Sequence, residues 1–295
     1  MKGILARING WTHRTADFYE ETIQRLIKNG VLSPDMRVLV VCGGERDRDA
    51  LLQCGLRNVT ISNLDTRMRG DEFDPFCWSF QDAENLTFQD EEFDFCIAHS
   101  GLHHCFSPHR ALLEMYRVSR VGLLVFEPRD GLVVRLGVLL NVGQEYEVAA
   151  VFGNDMTFGG VRNTEIPNYV YRWTENEVRK TINSYAPIGH HRFSFFYATR
   201  VPWSRLRLLR NKLYLAAVIA SLPFLKALSL VFPRVCNNFA FMVLKPRIPS
   251  DLFPWLTVSD GKLVPNREWL AAHYKKASPN VANEGARQDH MQHTP

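Results

Sequence analysis

A glycine turn after an apolar run is the first stretch that could bind a ligand. Residues 38–41 (VLVV) lead into Gly43 and Gly44, and residues 45–47 (ERD) follow. Glycines without Cβ atoms let a ligand come close to the backbone. A dinucleotide site needs G-x-G-x-x-G, and here charged residues stand where the later glycines would be. Nearby carboxylates favour a cationic ligand over a pyrophosphate. The alternative is that the glycines serve only the local turn.

The second stretch is the histidine-rich AHSGLHHC, which includes His99, His103 and His104. His99 and His103 are four residues apart, which suggests zinc. Such a pair binds one metal ion only on a helix, whereas this segment leaves a strand through Ser100 and Gly101, and no acidic third ligand stands beside it. We therefore expect no metal ion.

The elements that position these residues alternate between strands and helices. Five segments have the unbroken apolar or β-branched character of buried strands, and two have helical spacing. Short links between them imply a parallel sheet, whose ligands collect at the carboxyl ends of the strands. The strands are MRVLVV, NVTISN, FCWSFQ, FDFCIAHS and VGLLVFEP, and the helices are RDALLQCG and HRALLEMYRVS.

The chain outside this core contains further elements. TADFYEETIQRLIKNG predicts a lead-in helix, and TENEVRKTINSYA a helix that Thr174 and Glu177 open as a capping box. Two late strands, HRFSFFYATRV and NNFAFMVLKP, follow. The tail from about residue 277 is polar, and we expect it to be disordered.

Composition and charge narrow the class of protein. A chain of 295 residues with 46% hydrophobic and 22% charged residues is an ordinary globular protein. The six cysteines form no C-x-x-C pair, and the amino-terminal residues contain no long apolar run, so we expect reduced thiols and a cytoplasmic location. The eight Lys or Arg residues of 201–250 flank aliphatic residues rather than exposed aromatics, which argues against nucleic acid.

Residues 37–128 resemble the class I S-adenosylmethionine-dependent methyltransferases, closest to the type 11 group that includes ubiquinone and menaquinone biosynthesis enzymes. The most specific part is QDAENLTFQDEEFDFCIAHSGLHHC at 81–105, which is similar to that group's acidic-Ala-x-x-Leu-x-Phe stretch and the Phe-Asp strand after it. The resemblance implies a Rossmann-like, doubly wound, mostly parallel α/β sheet. NNFAFMVLKP suits its antiparallel edge strand.

The pattern of elements, together with the resemblance, divides the chain into regions. These are a helical lead-in at 1–35, the cofactor-binding core at 36–130, a substrate-side insertion at 131–187, the late strands at 188–247 with a basic apolar helical insertion at 203–234, and a C-terminal extension at 248–295.

The resemblance assigns S-adenosylmethionine to the carboxyl ends of the strands. Cys42, Gly43 and Gly44 would face its amino-acid part, and His99 would lie beside it. Asp82 would accept a hydrogen bond from the adenine amine, and the backbone of Ala83 would contact the ring edge. The ribose usually meets an acid after the second strand, where this chain has Asn63, with Asp65 two residues later. We expect Asn63 to hold the ribose; Asp65 is the alternative, or it caps a following helix.

Methyl transfer needs alignment of the acceptor and exclusion of water more than covalent work by the protein. The resemblance places His99, His103 and His104 near the transferred methyl, and one of them would serve as base for an alcohol or phenol. The alternative is histidines satisfied by backbone carbonyls. The segment TFGGVRNTEIPNYVYRW offers a polar and aromatic set to a small-molecule acceptor: Arg162, Asn163, Tyr169, Tyr171 and Arg172.

The function predicted is methyl transfer by in-line displacement to a hydroxylated or lipid-like metabolite. One alternative is an NAD(P)-dependent oxidoreductase, but the sequence has no catalytic Tyr-x-x-x-Lys motif. The other is a non-catalytic scaffold with the same fold, which the replacement of the usual ribose-binding acid by Asn63 favours.

The segment from Arg205 to Arg234 is basic at its start and apolar afterwards. We expect Pro223 to break it into two helices that pack on the sheet domain as a buried hairpin. The alternative is weak peripheral contact of residues 205–234 with an anionic membrane surface. The sequence leaves the oligomeric state open.

Overall fold

The computed structural model of the protein describes residues 14–201, 203–206 and 211–274. The polar tail from about residue 277, which we expect to be disordered, lies outside this part. So do Arg207 and Arg210 of the basic segment. The chain divides into two compact units. The first runs to Pro187 and resumes from His191 to Lys245, and the second consists of Ile188–His190 and the chain after Lys245.

A seven-stranded sheet forms the centre of the first unit, with the strand order β3-β2-β1-β4-β5-β7-β6. Strands β1 to β5 are parallel, and β7 is antiparallel to both β5 and β6. The mostly parallel sheet with an antiparallel last strand is confirmed, but β7 is not the edge strand, because β6 lies outside it. The strands are β1 Arg37–Val41, β2 Asn58–Asn63, β3 Cys77–Phe80, β4 Phe93–His99, β5 Ser119–Pro128, β6 Arg192–Ala198 and β7 Asn238–Leu244.

Helices cover both faces of this sheet. The predicted capping box is present, since Glu177 N donates to Thr174 Oγ1 at 3.2 Å and Thr174 N donates to Glu177 Oε2 at 3.3 Å. No described α-helix joins β2 to β3, where a 3-10 turn at Gly70–Phe73 follows instead, so Asp65 is not a helix cap. The helices are α1 Arg14–Lys28, α2 Glu45–Gln53, α3 Pro108–Val118, α4 Leu132–Leu139, α5 Val148–Gly153, α6 Glu175–Tyr185, α7 Trp203–Leu206 and α8 Lys212–Val231.

Two apolar layers pack against the sheet and fix its central strands. Val38 and Val40 of β1 face α1 and α2, whereas Leu39 and Val41 face the layer of α3 and α6. Burial on both faces explains why these strands read as unbroken apolar runs. The carboxyl ends of β1, β2, β4 and β5 are thereby held rigidly at one edge, where the predicted site residues lie.

The apolar insertion differs from its prediction. It is one helix, α8, with Pro223 inside it, and none of its residues is buried. Asn211 caps the helix by accepting from Tyr214 N at 3.0 Å, and Leu and Ala residues with high helix propensity continue it on both sides of the proline. The buried hairpin is therefore wrong. By length and composition α8 could cross a membrane, with a mean hydropathy of 1.9.

The second unit contains a hairpin of β8 (Leu256–Ser259) and β9 (Lys262–Pro265), followed by α9 (Arg267–His273). Its aromatic rings hold it together, for example Phe253 stacked on Trp255 with centroids 4.5 Å apart. None of these elements was predicted from the sequence.

Candidate active site

The two glycines of the turn after β1 have different surroundings. A Cβ at Gly43 would lie 2.7 Å from Val40 Cγ1 and 2.8 Å from Ile61 Cγ2, so this glycine is required by packing. A Cβ at Gly44 would meet nothing within 4 Å. Cys42, before them, has a left-handed backbone with φ of 57°. Gly44 therefore borders open space, and Gly43 anchors the turn on the sheet.

A buried polar group lies beneath this turn. Asp47 Oδ2 accepts from Gly44 N at 2.9 Å, and Asp47 Oδ1 is 3.8 Å from His99 Nδ1. His99 stacks on Tyr19 with a centroid distance of 4.3 Å and meets the edge of Phe126. Burial, followed by the charges of two arginines, lowers the pKa of His99 to about 3. Burial raises the pKa of Asp47 to about 6. His99 is a neutral packing residue of the core edge here.

Asn63 and Asp65 are both engaged in contacts within the protein. Asn63 Nδ2 donates to Gly43 O at 2.8 Å, and its Oδ1 accepts from Asp65 N at 3.1 Å. Asn63 thus joins the ends of β1 and β2. Asp65 forms an ion pair with Arg67 and accepts from Arg67 N at 2.9 Å. The hydrogen bonds from Arg67 outweigh burial and lower the pKa of Asp65.

Asp82 meets a residue that was predicted for the acceptor. Arg162 Nη2 lies 2.8 Å from Asp82 Oδ2, and Arg162 Nη1 lies 3.2 Å from Glu84 Oε2. Glu84 is buried and also accepts from the backbone N of Ser107 at 2.9 Å. Ala83 is buried in the core layer of α3. The loop around Arg162 is consequently fastened across the end of β3.

These loops border one surface cavity of about 410 Å³. Arg67 stacks on the ring of Phe158, which belongs to the same loop as Arg162. Asp65 lines the cavity, whereas Asn63 does not. The lining residues are Leu64, Asp65, Thr66, Arg67, Thr157, Phe158, Arg162 and Asn163.

His103 and His104 lie in a 3-10 turn after β4 and meet two carboxylates. His103 Nδ1 donates to Glu127 Oε2 at 2.6 Å, and Glu127, at the end of β5, is fully buried. The Nε2 atoms of His103 and His104 lie 3.6 and 3.3 Å from Glu147 Oε2. His104 Nδ1 is 3.2 Å from Gly160 O.

The pKa values of the two histidines in this cluster shift in opposite directions. Burial by itself would lower the pKa of His103, but Glu127 and then Glu147 raise it to about 10. Burial and the charge of His103 lower the pKa of His104. Burial opposes ionisation of Glu147, yet the hydrogen bond and charge of His103 lower its pKa to about 2. His103 is therefore an imidazolium held between carboxylates.

The predicted acceptor residues do not converge on a single point. Tyr169 is half exposed and packs edge-to-face on Tyr146, with ring centroids 5.5 Å apart. Tyr171 donates to Glu177 and lies beside His109. Arg172 donates to the carbonyl oxygens of Val170 and Gln144. Of this set, Arg162 and Asn163 line the cavity.

Neither carboxylate of the histidine cluster was predicted from the sequence. Glu127 precedes Pro128 at the carboxyl end of β5, and that position was the one available signal. Glu147 comes from the 131–187 insertion, where no motif marks it. Glu147 is more than 40 residues from the histidines in sequence, so its neighbours in the chain do not reveal it as their partner.

The core that carries this site matches a known protein family. The methyltransferase-domain family model matches residues 39–126, which span β1 to β5. These residues are a class I methyltransferase domain of the type 11 group. The chain is accordingly a methyltransferase, and S-adenosylmethionine is its cofactor. No curated protein sequence matches it.

Several solved methyltransferase structures are similar in chain trace. An S-adenosylmethionine-dependent methyltransferase from Thermotoga maritima is 15% identical, with a TM-score of 0.45 over 83% of this chain and 100% of that one. Magnesium protoporphyrin IX methyltransferase from Synechocystis, with bound SAH, is 15% identical with a TM-score of 0.44 over 82% and 87%. Phosphoethanolamine N-methyltransferase 2 from Haemonchus contortus is 14% identical with a TM-score of 0.45 over 78% and 52%.

The residues of this methyltransferase fit such a cofactor. Open space at Gly44 leaves room for a ligand against the turn, and Asp65, which follows the neighbouring strand β2, lines the cavity. Carboxylates suit both ribose hydroxyls and a cationic ligand. Asp82 stands next along the edge of the sheet, with Arg162 as its present partner.

Proposed function

We propose that this methyltransferase transfers a methyl group from S-adenosylmethionine to a hydroxylated or lipid-like small molecule. The observation that carries the proposal is the match of β1 to β5 to the methyltransferase domain, together with the cavity at the carboxyl ends of these strands. When bound, the cofactor supplies an activated methyl group for in-line displacement. The protein's own residues bind, orient and exclude water.

We assign the cofactor to Gly44, Asp65 and Asp82. Asp65 lines the cavity, and Asn63 uses both ends of its amide on the backbone, so we assign the ribose to Asp65 rather than to Asn63. The Asp65 carboxylate is paired with Arg67 through both oxygens, and it would exchange this pair for the ribose hydroxyls. Replacing Asn63 by Asp would set a carboxylate against Gly43 O in place of an amide donor. Asp82 is the acceptor for the adenine amine, with Arg162 closing over it.

We assign the acceptor to the side of the histidine cluster. Among the three predicted histidines, the side chain of His104 is 30% exposed, whereas those of His99 and His103 are 13% and 4% exposed. An acceptor can therefore reach His104, and His99 and His103 contribute by packing and by charge.

A lipid-like acceptor is supported by exposed apolar helices in the same unit. Leu132 and Leu139 of α4 are exposed, as are Leu213, Phe224 and Leu230 of α8. Tyr214 of α8 donates to Leu140 O at the end of α4, so the two helices touch. Helix α4 begins just after β5, at the edge of the sheet that carries the site. We propose that these helices attach the otherwise cytoplasmic protein peripherally to a membrane surface.

Calorimetric titration of the full chain tests the cofactor assignment. We expect binding of S-adenosylhomocysteine and none of NAD(P)H. Asp82→Ala and Asp65→Ala should each weaken binding by about 1 to 3 kcal/mol, because each removes a charged hydrogen-bond acceptor. Asp71→Ala, in the exposed turn between β2 and β3, is the control. Equal affinity of all variants would refute the assignment, and binding of NAD(P)H alone would refute the function.

A further inference from the structure

Three side-chain atoms converge in the histidine cluster in a way that suits a metal ion. They are His103 Nε2, His104 Nε2 and Glu147 Oε2, and all lie within 4.8 Å of one another. The Glu147 oxygen is 3.6 and 3.3 Å from the two nitrogens. With zinc-to-ligand bonds of about 2.0 to 2.1 Å, the edge of a tetrahedral site is about 3.3 Å. The two carboxylate-to-imidazole distances thus need only small side-chain shifts to match this edge.

Each of these ligands has a second partner that orients it. His103 Nδ1 donates to Glu127 at 2.6 Å, and His104 Nδ1 lies 3.2 Å from Gly160 O. A carboxylate or carbonyl on the far ring nitrogen is the usual support of a metal-bound histidine. Asn168 Nδ2 donates to Glu147 Oε2 at 3.3 Å. Both Nε2 atoms are thereby directed at the same carboxylate.

A buried oxygen beside the cluster lacks a donor. Asn168 is 2% exposed, and its Oδ1 has no hydrogen-bond partner among the described residues. The amide cannot simply be reversed, because its nitrogen already donates to His103 O and to Glu147. A water molecule bound to a metal ion would be such a donor.

We propose that His103, His104 and Glu147 form a binding site for one divalent zinc-like metal ion, which takes the place of the proton on His103 Nε2 and releases it to solvent. Two imidazoles and one carboxylate are the ligand set of open zinc sites, in which a water or substrate oxygen takes the fourth position. Solvent reaches the cluster at His104 and Glu147, whose side chains are 30% and 20% exposed. On the proposed function, the open position faces the acceptor and would hold its oxygen.

The expectation of no metal ion rested on His99 and His103 and on the acids next to them in the chain, and not on this group. In the structure His99 belongs to the packing of Tyr19, and the adjacent histidines 103 and 104 meet a carboxylate from the insertion.

Metal titration of the full chain tests this proposal independently of methyl transfer. The protein is freed of metal with a chelator, and Co²⁺ is added while visible absorption is recorded. We expect one tightly bound Co²⁺ with the intense bands of four-coordinate geometry, displaced by one equivalent of Zn²⁺. Because cysteines Cys42 and Cys105 lie nearby, the spectrum must lack the near-ultraviolet band of thiolate ligation.

Variants identify the ligands. Glu147→Gln and His104→Ala should each weaken Co²⁺ binding at least tenfold, and Glu127→Gln by about 10- to 100-fold through the orientation of His103. Glu145→Gln, an exposed neighbour of Glu147, is the matched control and should bind like the wild type. Circular dichroism confirms folding, and Glu147→Gln keeps the test valid if the buried Glu127 variant unfolds. If Glu147→Gln binds Co²⁺ with the same affinity as the wild type, the proposal is overturned. The cluster is then a set of hydrogen bonds and ion pairs between protonated histidine and carboxylates. Metal binding without binding of S-adenosylhomocysteine would refute the proposed function alone.

Discussion

Gly43 and Gly44 have different tasks although they are adjacent. Gly43 is enclosed by Val40 and Ile61, whereas Gly44 faces open space with φ of −146°, a backbone open to any residue. Gly44→Val should therefore fold, at a cost of about 1 kcal/mol for a poorer helix cap, yet lose S-adenosylhomocysteine binding at least about tenfold. Calorimetry and thermal unfolding measure the two effects. Gly43→Ala is the contrasting variant and should lose mainly stability, about 1 to 3 kcal/mol. If Gly44→Val binds S-adenosylhomocysteine as tightly as the wild type does, the cofactor does not bind at this turn.

Asp47 gives the free protein a defined pH dependence. Its carboxyl titrates near 3.8 in the unfolded chain, and burial raises the pKa to about 6 in the folded state. The folded state therefore holds the proton more tightly, so the contribution of Asp47 to stability is full below about pH 4 and is lost as pH rises through about 6. Asp47→Asn removes this loss while an amide oxygen can still accept from Gly44 N.

The expected result is a gain in the unfolding free energy of Asp47→Asn over wild type that is about 2 kcal/mol larger at pH 7.5 than at pH 4.5, because part of the loss is already present at pH 4.5. Urea unfolding at both pH values measures it. Asp49→Asn, an exposed carboxylate on the same helix, serves as the reference. A difference that is the same at both pH values would contradict the buried titration.

At the scale of elements, the loop at 157–163 is the part of the insertion that closes over the core. Arg162 fastens it to Asp82 and Glu84, with side chains that are 29%, 27% and 9% exposed. Partly exposed ion pairs contribute up to about 1 kcal/mol. Arg162→Ala should consequently raise the dissociation rate of S-adenosylhomocysteine about fivefold, which stopped-flow competition measures. Arg135→Ala, which breaks an exposed pair on α4, should leave that rate unchanged. An unaltered rate in Arg162→Ala would mean that this loop does not hold the cofactor.

At the scale of the whole molecule, α8 presents apolar side chains to solvent. Leu213, Phe224 and Leu230 are 84%, 68% and 78% exposed, so changing all three to Gln leaves the described core intact. Each buried apolar side chain contributes about 1.5 kcal/mol or more, so the triple variant should lose at least about tenfold in flotation with anionic liposomes. Changing Arg205, Arg207, Arg210 and Lys212 to Gln should remove its salt dependence.

Two exposed residues of the hairpin, Val258 and Leu263, provide the control for that experiment when changed to Gln. If the wild type does not float with liposomes, or if the α8 variant floats as well as the wild type, membrane attachment is refuted. A soluble hydroxylated acceptor is then the better proposal.

The local features of the fold were predictable from the sequence. Strands β1, β4 and β5 are buried on both faces, and such strands have unbroken apolar runs in their sequence. The capping box of Thr174 and Glu177 is complete within four residues. Such signals depend on neighbours in sequence, and they were enough for the parallel part of the sheet. The antiparallel strand and the family came from the resemblance of residues 81–105 and 237–246 to the methyltransferases.

Only the tertiary structure decided which side chains meet. Glu147 reaches His103 and His104, and Arg162 reaches Asp82, because the insertion folds back over the ends of the strands. The exposure of α8 likewise depends on what packs against it, since an apolar helix has the same sequence pattern in a core and on a surface. Short-range periodicity determines an element, whereas a site depends on long-range placement to within a few tenths of an ångström, which no local pattern encodes.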